Sequence, residues 1–279
     1  MAAILTLLTD FGTSDGYAGA LKGVIARVAP ELRVVTITHG IPPHDIGAGS
    51  YWLNASAPYF PPGTVHCAVV DPGVGSGRPL VAARIDRQVV IAPDNGLLHF
   101  MWSRGRHRLA LRIETAGIEP RRMSATFHGR DLIAPLAARV AAGAVNFESL
   151  GPRIPSPKLV SDFLPRGDSA GTDAPVIAVD RFGNVILAVA RTPFYAPLPA
   201  SASLANGRVI SDLVRTYAEI EDGIAMLWNS ADHLEIAGNG RSAASLLNLH
   251  PGDRVRVAWA AKEPSSERGS RTSQGAVAP

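Results

Sequence analysis

The sequence holds a single cysteine in 279 residues, only 6% aromatic residues, and only 18% Asp, Glu, Lys and Arg. One cysteine excludes a disulfide framework. Because Cys67 lies inside the apolar run 64–70, it reads as a buried, inert thiol rather than a nucleophile. Charge of one sign is also scarce. The net charge is +3, and the basic residues are scattered arginines rather than a stripe, so no nucleic-acid partner is expected. No apolar stretch approaches the roughly 20 residues needed to span a bilayer, which argues against a membrane partner. The apolar start Met1–Leu8 has no basic flank and meets Asp10 almost at once. It therefore reads as a first β-strand rather than a signal peptide, and a cytoplasmic location is expected.

What is present is core material: 46% of the residues are hydrophobic, enough for a folded chain of one large or two smaller domains. The first half alternates strand and helix signals. Ala3–Leu8 is a continuous apolar run of the kind buried on both faces of a parallel sheet. A turn follows, then a helical pattern with Tyr17, Leu21, Val24, Ile25 and Val28 on one face. Leu32–Thr38 and Thr64–Val70 read as strands, Leu80–Ile91 as a strand pair, and His44–Tyr59 and Gly129–Ala142 as helices. The order predicts an α/β domain over residues 1–160, with a central, mostly parallel sheet and flanking helices.

The texture then changes. Pro152–Pro175 carries five prolines among Gly, Ser and Asp, and residues 161–175 are expected to be a linker. Short strand-like runs follow at Val176–Val179, Val185–Val189, Gly223–Trp228, His233–Ile236 and Asp253–Ala260. Punctuated by turns such as Gly238-Asn239-Gly240, they predict a smaller all-β barrel over 176–262. Residues 263–279 lack periodicity and are expected to form a disordered tail.

In an open α/β sheet, ligands bind beyond the carboxyl ends of the strands. Asp10 and Asp15 follow the first strand, Asp71 follows the third within Asp71-Pro72-Gly73-Val74-Gly75-Ser76-Gly77-Arg78, and His128 precedes a helix. Asp10 could equally cap the next helix. The glycine-rich loop is either a turn or a phosphate cradle; no Gly-Lys-Ser/Thr follows, so it is not a P-loop. His39 and His44-Asp45 have a loosely metal-like spacing, but Pro42 and Pro43 prevent a helix that would align the rings, and no metal site is expected.

Eight segments taken in order resemble one family. They are Thr9-Asp10-Phe11-Gly12, Thr38-His39, Phe60-Pro61-Pro62-Gly63-Thr64-Val65-His66, Val70-Asp71-Pro72-Gly73-Val74-Gly75, Pro93-Asp94-Asn95-Gly96-Leu97, Phe127-His128-Gly129-Arg130-Asp131, Asp180-Arg181-Phe182-Gly183-Asn184 and Asn229-Ser230. Together they resemble the signature of the S-adenosyl-L-methionine (SAM) hydrolase, adenosine-forming, family, also called SAM hydroxide adenosyltransferase, which is related to the SAM-dependent fluorinases and chlorinases. The resemblance implies an α/β domain followed by a β-barrel, and a homotrimer binding SAM between one subunit's first domain and a neighbour's second. It further implies that Asp10 takes the ribose hydroxyls with Asp15 nearby, and that Phe127 and Gly129 flank the nucleoside. Asn184, with Phe182 and Tyr217, would read adenine, as would the Asn239-Gly240 backbone. Asp180 and Ser230 would hold the methionine ammonium.

Asp71, Arg78 and His128 match the Asp-Arg-His set of the hydrolases. The resemblance therefore implies hydrolysis of SAM to adenosine and methionine by water attacking ribose C5′, with no cofactor and no metal. Two departures from the halogenases agree: Asp71 stands where they keep an aromatic residue, and Ile85-Asp86-Arg87-Gln88-Val89 leaves no room for the fluorinase insertion. A third, Ala231 in place of an arginine, leaves the group that binds the methionine carboxylate open. The alternatives are a halogenase, a metal-dependent phosphohydrolase, and a silent SAM or adenosine sensor.

Overall fold

The computed structural model describes residues 2–115, 123–168, 170–191, 198–221 and 223–260. In the first domain the elements are β1 (Ile4–Thr9), α1 (Tyr17–Val28), β2 (Arg33–Thr38), α2 (Ile46–Ser56), β3 (Val65–Val69), β4 (Leu80–Ile85), β5 (Gln88–Pro93), α3 (His99–Arg104), β6 (Arg108–Arg112), α4 (Ala134–Ala141) and β7 (Arg153–Ile154). Their sheet has the order β2-β1-β3-β5-β4-β6-β7. The run β2-β1-β3-β5 is parallel, and β4, β6 and β7 extend it with antiparallel pairs.

The apolar run of β1 is buried as its composition demands, with Leu5, Leu7 and Leu8 fully inaccessible. Its two threonines are buried as well. Each is satisfied by a histidine ring, Thr6 by His66 Nδ1 at 2.7 Å and Thr9 by His39 Nδ1 at 2.8 Å. One face of the sheet packs on α1 and α4, the other on α2 and α3.

Several helix expectations change in detail. The buried face of α1 is Ala18, Leu21 and Ile25, while Tyr17 is 52% exposed. The expected helix 44–59 is shorter, because His44 takes a left-handed φ of 67° and Asp45 caps the helix through Ala48 N (2.8 Å). It ends in a 3-10 turn, Ala57–Tyr59. The helix at 129–142 opens as a turn of π-helix, Gly129–Ile133, before α4.

The second domain contains β8 (Arg166–Gly167), β9 (Gly171–Val179), β10 (Val185–Ala190), β11 (Pro199–Ser203), β12 (Val209–Ile210), β13 (Ile224–Trp228), β14 (His233–Gly238), α5 (Ala243–Leu247) and β15 (Arg254–Trp259). All strand pairs are antiparallel, in the order β12-β11-β15-β9-β10-β14-β13 with β8 on β9. The two ends nearly meet: Met226 of β13 exchanges backbone bonds with Asp212 and Val214, just beyond β12. The result is an almost closed barrel. Residues 161–175, expected to be a linker, carry a 3-10 turn (Ser161–Phe163), β8 and the start of β9. The barrel also shares a core with the first domain, where Ile177, Ala178, Ile186 and Ala188 pack with Tyr51, Leu53 and Trp102. The expected tail, 263–279, lies outside the described residues.

Candidate active site

Beyond the carboxyl ends of β1 and β3 lies a cavity of about 510 Å3, within the usual range for small-molecule sites. Asp10, Asp15, Asp71, Phe127, His128 and Gly129 all line it. Sheet order explains the convergence. β1 and β3 are hydrogen-bonded neighbours, so Asp10 and Asp71 leave adjacent strand ends.

Asp10 is not a helix cap. α1 begins after Gly16, with no side-chain cap. Instead Asp10 Oδ2 accepts the backbone N–H of His44 at 2.9 Å. The left-handed His44 is thereby pinned at the rim of the cavity.

Asp71 and Arg78 form a bidentate ion pair, with Arg78 Nε donating to Oδ1 at 2.6 Å and Nη2 donating to Oδ2. Both side chains are largely buried, at 5% and 11% exposure. The same Nη2 approaches His128 Nδ1 at 3.4 Å. A guanidinium can only donate, so Nδ1 must carry the lone pair and neutral His128 holds its proton on Nε2. The three residues named from sequence are thus one connected unit drawn from two loops.

Glycine geometry holds these loops together. Gly75 has φ +79°, and a Cβ there would lie 2.5 Å from Ala125 O, so the Asp71–Arg78 loop rests directly on the segment leading to His128. A Cβ on Gly129 would press on Val69 and Phe11 at 3.3 and 3.4 Å.

Sequence reasoning named Phe127 but missed Phe11 and Tyr17, which complete an aromatic wall with it. Phe11, Tyr17 and Phe127 pack edge-on or tilted, with centroids 5.3–6.0 Å apart. Tyr17 faces the cavity, which is why it is exposed; its helical spacing disguised it as core. Arg130 also lines the cavity, but it is paired with Asp131 at 2.6 Å. With Asp10 and Asp15 in the wall and the charge of Asp71 balanced by Arg78, the cavity suits a cationic ligand carrying a flat apolar part.

The candidates from the barrel are elsewhere in the chain. Asp180, Tyr217 and Ser230 line a second cavity of about 380 Å3, against Tyr51 and Trp52 of α2. Asp180 closes a tight turn, accepting from Phe182 N (2.9 Å), Asn184 N (2.8 Å) and Asn184 Nδ2 (3.0 Å). Asn184 is 3% exposed, whereas Phe182 is 78% exposed. Asn239 and Gly240 follow β14, with Asn239 Nδ2 reaching Ile220 O at 3.4 Å. Neither cavity of the single chain includes both sets of residues.

Other titratable groups have structural roles. Burial pushes the Cys67 thiol up to about 12, which makes it a poor nucleophile. His39 lies between Thr9 and Thr36 with its pKa lowered by burial, while His44 is exposed beside Asp10. Among the described residues no three His, Cys, Asp or Glu side chains are grouped to hold a metal. No helix among them is long and apolar enough to cross a membrane.

The chain thus pairs an α/β sheet that presents a polar cavity at its strand ends with a following β-barrel. Models of the SAM hydroxide adenosyltransferase N-terminal and C-terminal domains match residues 5–151 and 174–256, and the chain belongs to that family, the (R)-SAM hydrolases, related to fluorinase. It is similar to the (R)-S-adenosyl-L-methionine hydrolase of Salinispora tropica, with 38% identity covering 91% of this chain and 97% of that one. Similarity to the enzyme of that name from Thermus thermophilus is also 38%, covering 90% and 97%. The fluorinase of Actinopolyspora mzabensis is 26% identical over 91% and 96%. Among solved structures, an uncharacterized conserved protein from Thermotoga maritima superposes with a TM-score of 0.80 at 28% identity, covering 91% of this chain and 99% of that one.

Proposed function

We propose that the protein hydrolyses SAM to adenosine and L-methionine, using Asp71, Arg78 and His128 to activate the water and no metal. The observation that carries the residue assignment is that Arg78, from behind the wall, contacts both Asp71 and His128, two lining residues of a cavity that also contains Asp10 and the aromatic trio. The 38% identity to the Salinispora and Thermus hydrolases supports the substrate.

The reaction joins water oxygen to C5′ and breaks the C5′–S bond. The sulfonium leaves as neutral methionine thioether and one proton is released. The leaving group needs no acid. What the enzyme supplies is a water held in line with the C5′–S bond and an acceptor for its proton. Asp71 spends both oxygens on Arg78, whereas the Nδ1 lone pair of His128 is held only by a 3.4 Å contact. His128 therefore takes the proton. Arg78, with Asp71 balancing its charge, orients the water without opposing the charge His128 gains. Asp10 accepts from the ribose hydroxyls, Asp15 lies nearby, and Phe127 and Gly129 flank the nucleoside.

Asp180, Ser230, Tyr217, Phe182, Asn184 and the Asn239-Gly240 turn complete the site from a neighbouring subunit of a homotrimer. The placing of Asp180, Tyr217 and Ser230 in a cavity separate from that of Asp10, Asp15 and Phe127 supports this. The test is to incubate the purified protein with SAM, with and without chelator and halide, and follow nucleosides chromatographically. Adenosine and methionine in equal amounts, unaffected by chelator, are expected. Loss of activity with chelator, or a 5′-halo-adenosine product, would refute the assignment.

A further inference from the structure

Glu235 has no part in the chemistry described so far, yet it is the most enclosed carboxylate facing either cavity, at 2% exposure on β14. A carboxylate is retained in such a place only where its oxygens are bonded. Oε1 accepts from Tyr217 OH at 2.8 Å, and Oε2 accepts from Asn229 Nδ2 at 3.2 Å.

The second bond matters because of what Asn229 does with its other atoms. Nδ2 also donates to Tyr51 OH at 3.0 Å, and Oδ1 accepts the backbone N–H groups of Ala231 and His233, each at 3.0 Å. Both amide hydrogens and both carbonyl lone pairs are thus in use. An amide can be turned end for end at little steric cost, and what forbids it here are partners of opposite kinds: two backbone N–H groups on the carbonyl side and the Glu235 carboxylate on the NH2 side. Glu235 thus acts with those backbone groups to hold the NH2 group toward itself and Tyr51, with the carbonyl on the turn that presents Ser230. Tyr51 lies on α2 of the first domain, so the chain of bonds also crosses the domain junction. Burial raises the pKa of the Tyr51 hydroxyl to about 12 and raises that of Tyr217 too, so both phenols keep their protons at neutral pH.

We propose that Glu235 is a positioning residue for the substrate: one buried carboxylate that fixes both the Asn229-Ser230 turn and the Tyr217 ring in the half-site contributed by the barrel. The proposal rests on the SAM-hydrolase reading and adds to it a residue that makes no contact with the reacting atoms.

The test measures kcat and KM for SAM in wild type, Glu235→Ala and Glu235→Gln, with thermal unfolding of each. Glu235→Ala frees both partners and is expected to raise KM about tenfold or more with kcat within about threefold of wild type, the pattern of lost binding. Glutamine can accept from Asn229 and donate to the Tyr217 oxygen, so Glu235→Gln is expected to restore KM to within about threefold. A generally weakened fold would show in the thermal unfolding and would not separate KM from kcat. Should the alanine variant not fold, Tyr217→Phe cuts one of the two bonds while keeping the ring, and a several-fold rise in KM is expected. Unchanged KM in Glu235→Ala or Tyr217→Phe overturns the proposal. So does a glutamine variant as impaired as the alanine one, which would assign Glu235 a direct charge role instead. A wild type that releases no adenosine refutes the hydrolase reading itself, a result distinct from either.

Discussion

Replacing Arg78 by alanine removes three interactions at once: both hydrogen bonds to Asp71 and the contact to His128 Nδ1. The Asp71 side chain is only 5% exposed, so the orphaned carboxylate regains only the hydration that the adjoining cavity allows. Stripping one partner from a buried ion pair costs about 3–5 kcal/mol, most of it the uncompensated charge rather than the lost attraction. Denaturant unfolding of Arg78→Ala is therefore expected to show a loss of that size. Adding Asp71→Asn should return part of it, because the neutral amide is far cheaper to bury than an unpaired carboxylate. A coupling of about 1–3 kcal/mol between the two substitutions is expected. Turnover follows a parallel logic. Residues acting as one unit are non-additive, so Arg78→Ala, Asp71→Asn and His128→Ala should each slow adenosine release, with general-base loss accounting for about 10²–10⁴-fold in His128→Ala. The Asp71→Asn/His128→Ala double variant should be about as slow as the worse single one. Stability losses that simply add, together with turnover defects that multiply, would show that the three residues are independent and refute the water-handling unit.

Asp10→Ala should weaken SAM and adenosine alike by about 1.5–3 kcal/mol, the worth of charge-assisted bonds to two hydroxyls, as read by calorimetry. Mixed with Asn184→Ala under subunit exchange, it should regain activity, and no recovery despite proven exchange would place the whole site within one chain. Gly75→Ala forces a side chain into a φ of +79° and to within 2.5 Å of Ala125 O. A stability loss of about 1–3 kcal/mol and a fall in kcat are expected, and normal kinetics would show that this loop contact does not position Asp71. Burial lowers the His66 pKa from 6.5 to about 4. The unfolded chain therefore binds more protons than the folded one between those values, and stability that is full above pH 6.5 is lost as pH falls toward 4. The shift corresponds to about 3 kcal/mol. Unfolding curves at pH 7 and pH 4.5 should show the loss, and a smaller one in His66→Asn; a flat profile in wild type would refute it.

The apolar run of β1, the strand-end positions of Asp10 and Asp71, and the change of texture before the barrel are local signals, legible without any coordinates. Buried parallel strands must be apolar throughout, and ligand residues must follow them. Strands such as β6 and β11 escape a reading of this kind because Arg108–Arg112 and Pro199–Ser203 show weak apolar patterning on their own, and their pairing partners come from distant residues. Tyr17 carries a helical spacing that fits a core as well as a cavity wall, and only the position of Phe127 distinguishes them. Glu235 gives one faint signal, a charged residue in the middle of the apolar strand His233–Gly238. Its meaning depends on Tyr217, Asn229 and Tyr51, which are 18, 6 and 184 residues away from it in the chain. Element types, the order of the two domains and the chemical repertoire are properties of the sequence alone, because they follow from periodicity and residue type. Which groups touch is settled only in three dimensions. Arg78 meets His128 across fifty residues, and Asp180, Tyr217 and Ser230 fall into a different cavity from Asp10, Asp15 and Asp71, since hydrogen-bond geometry is fixed by packing between segments that carry no record of one another.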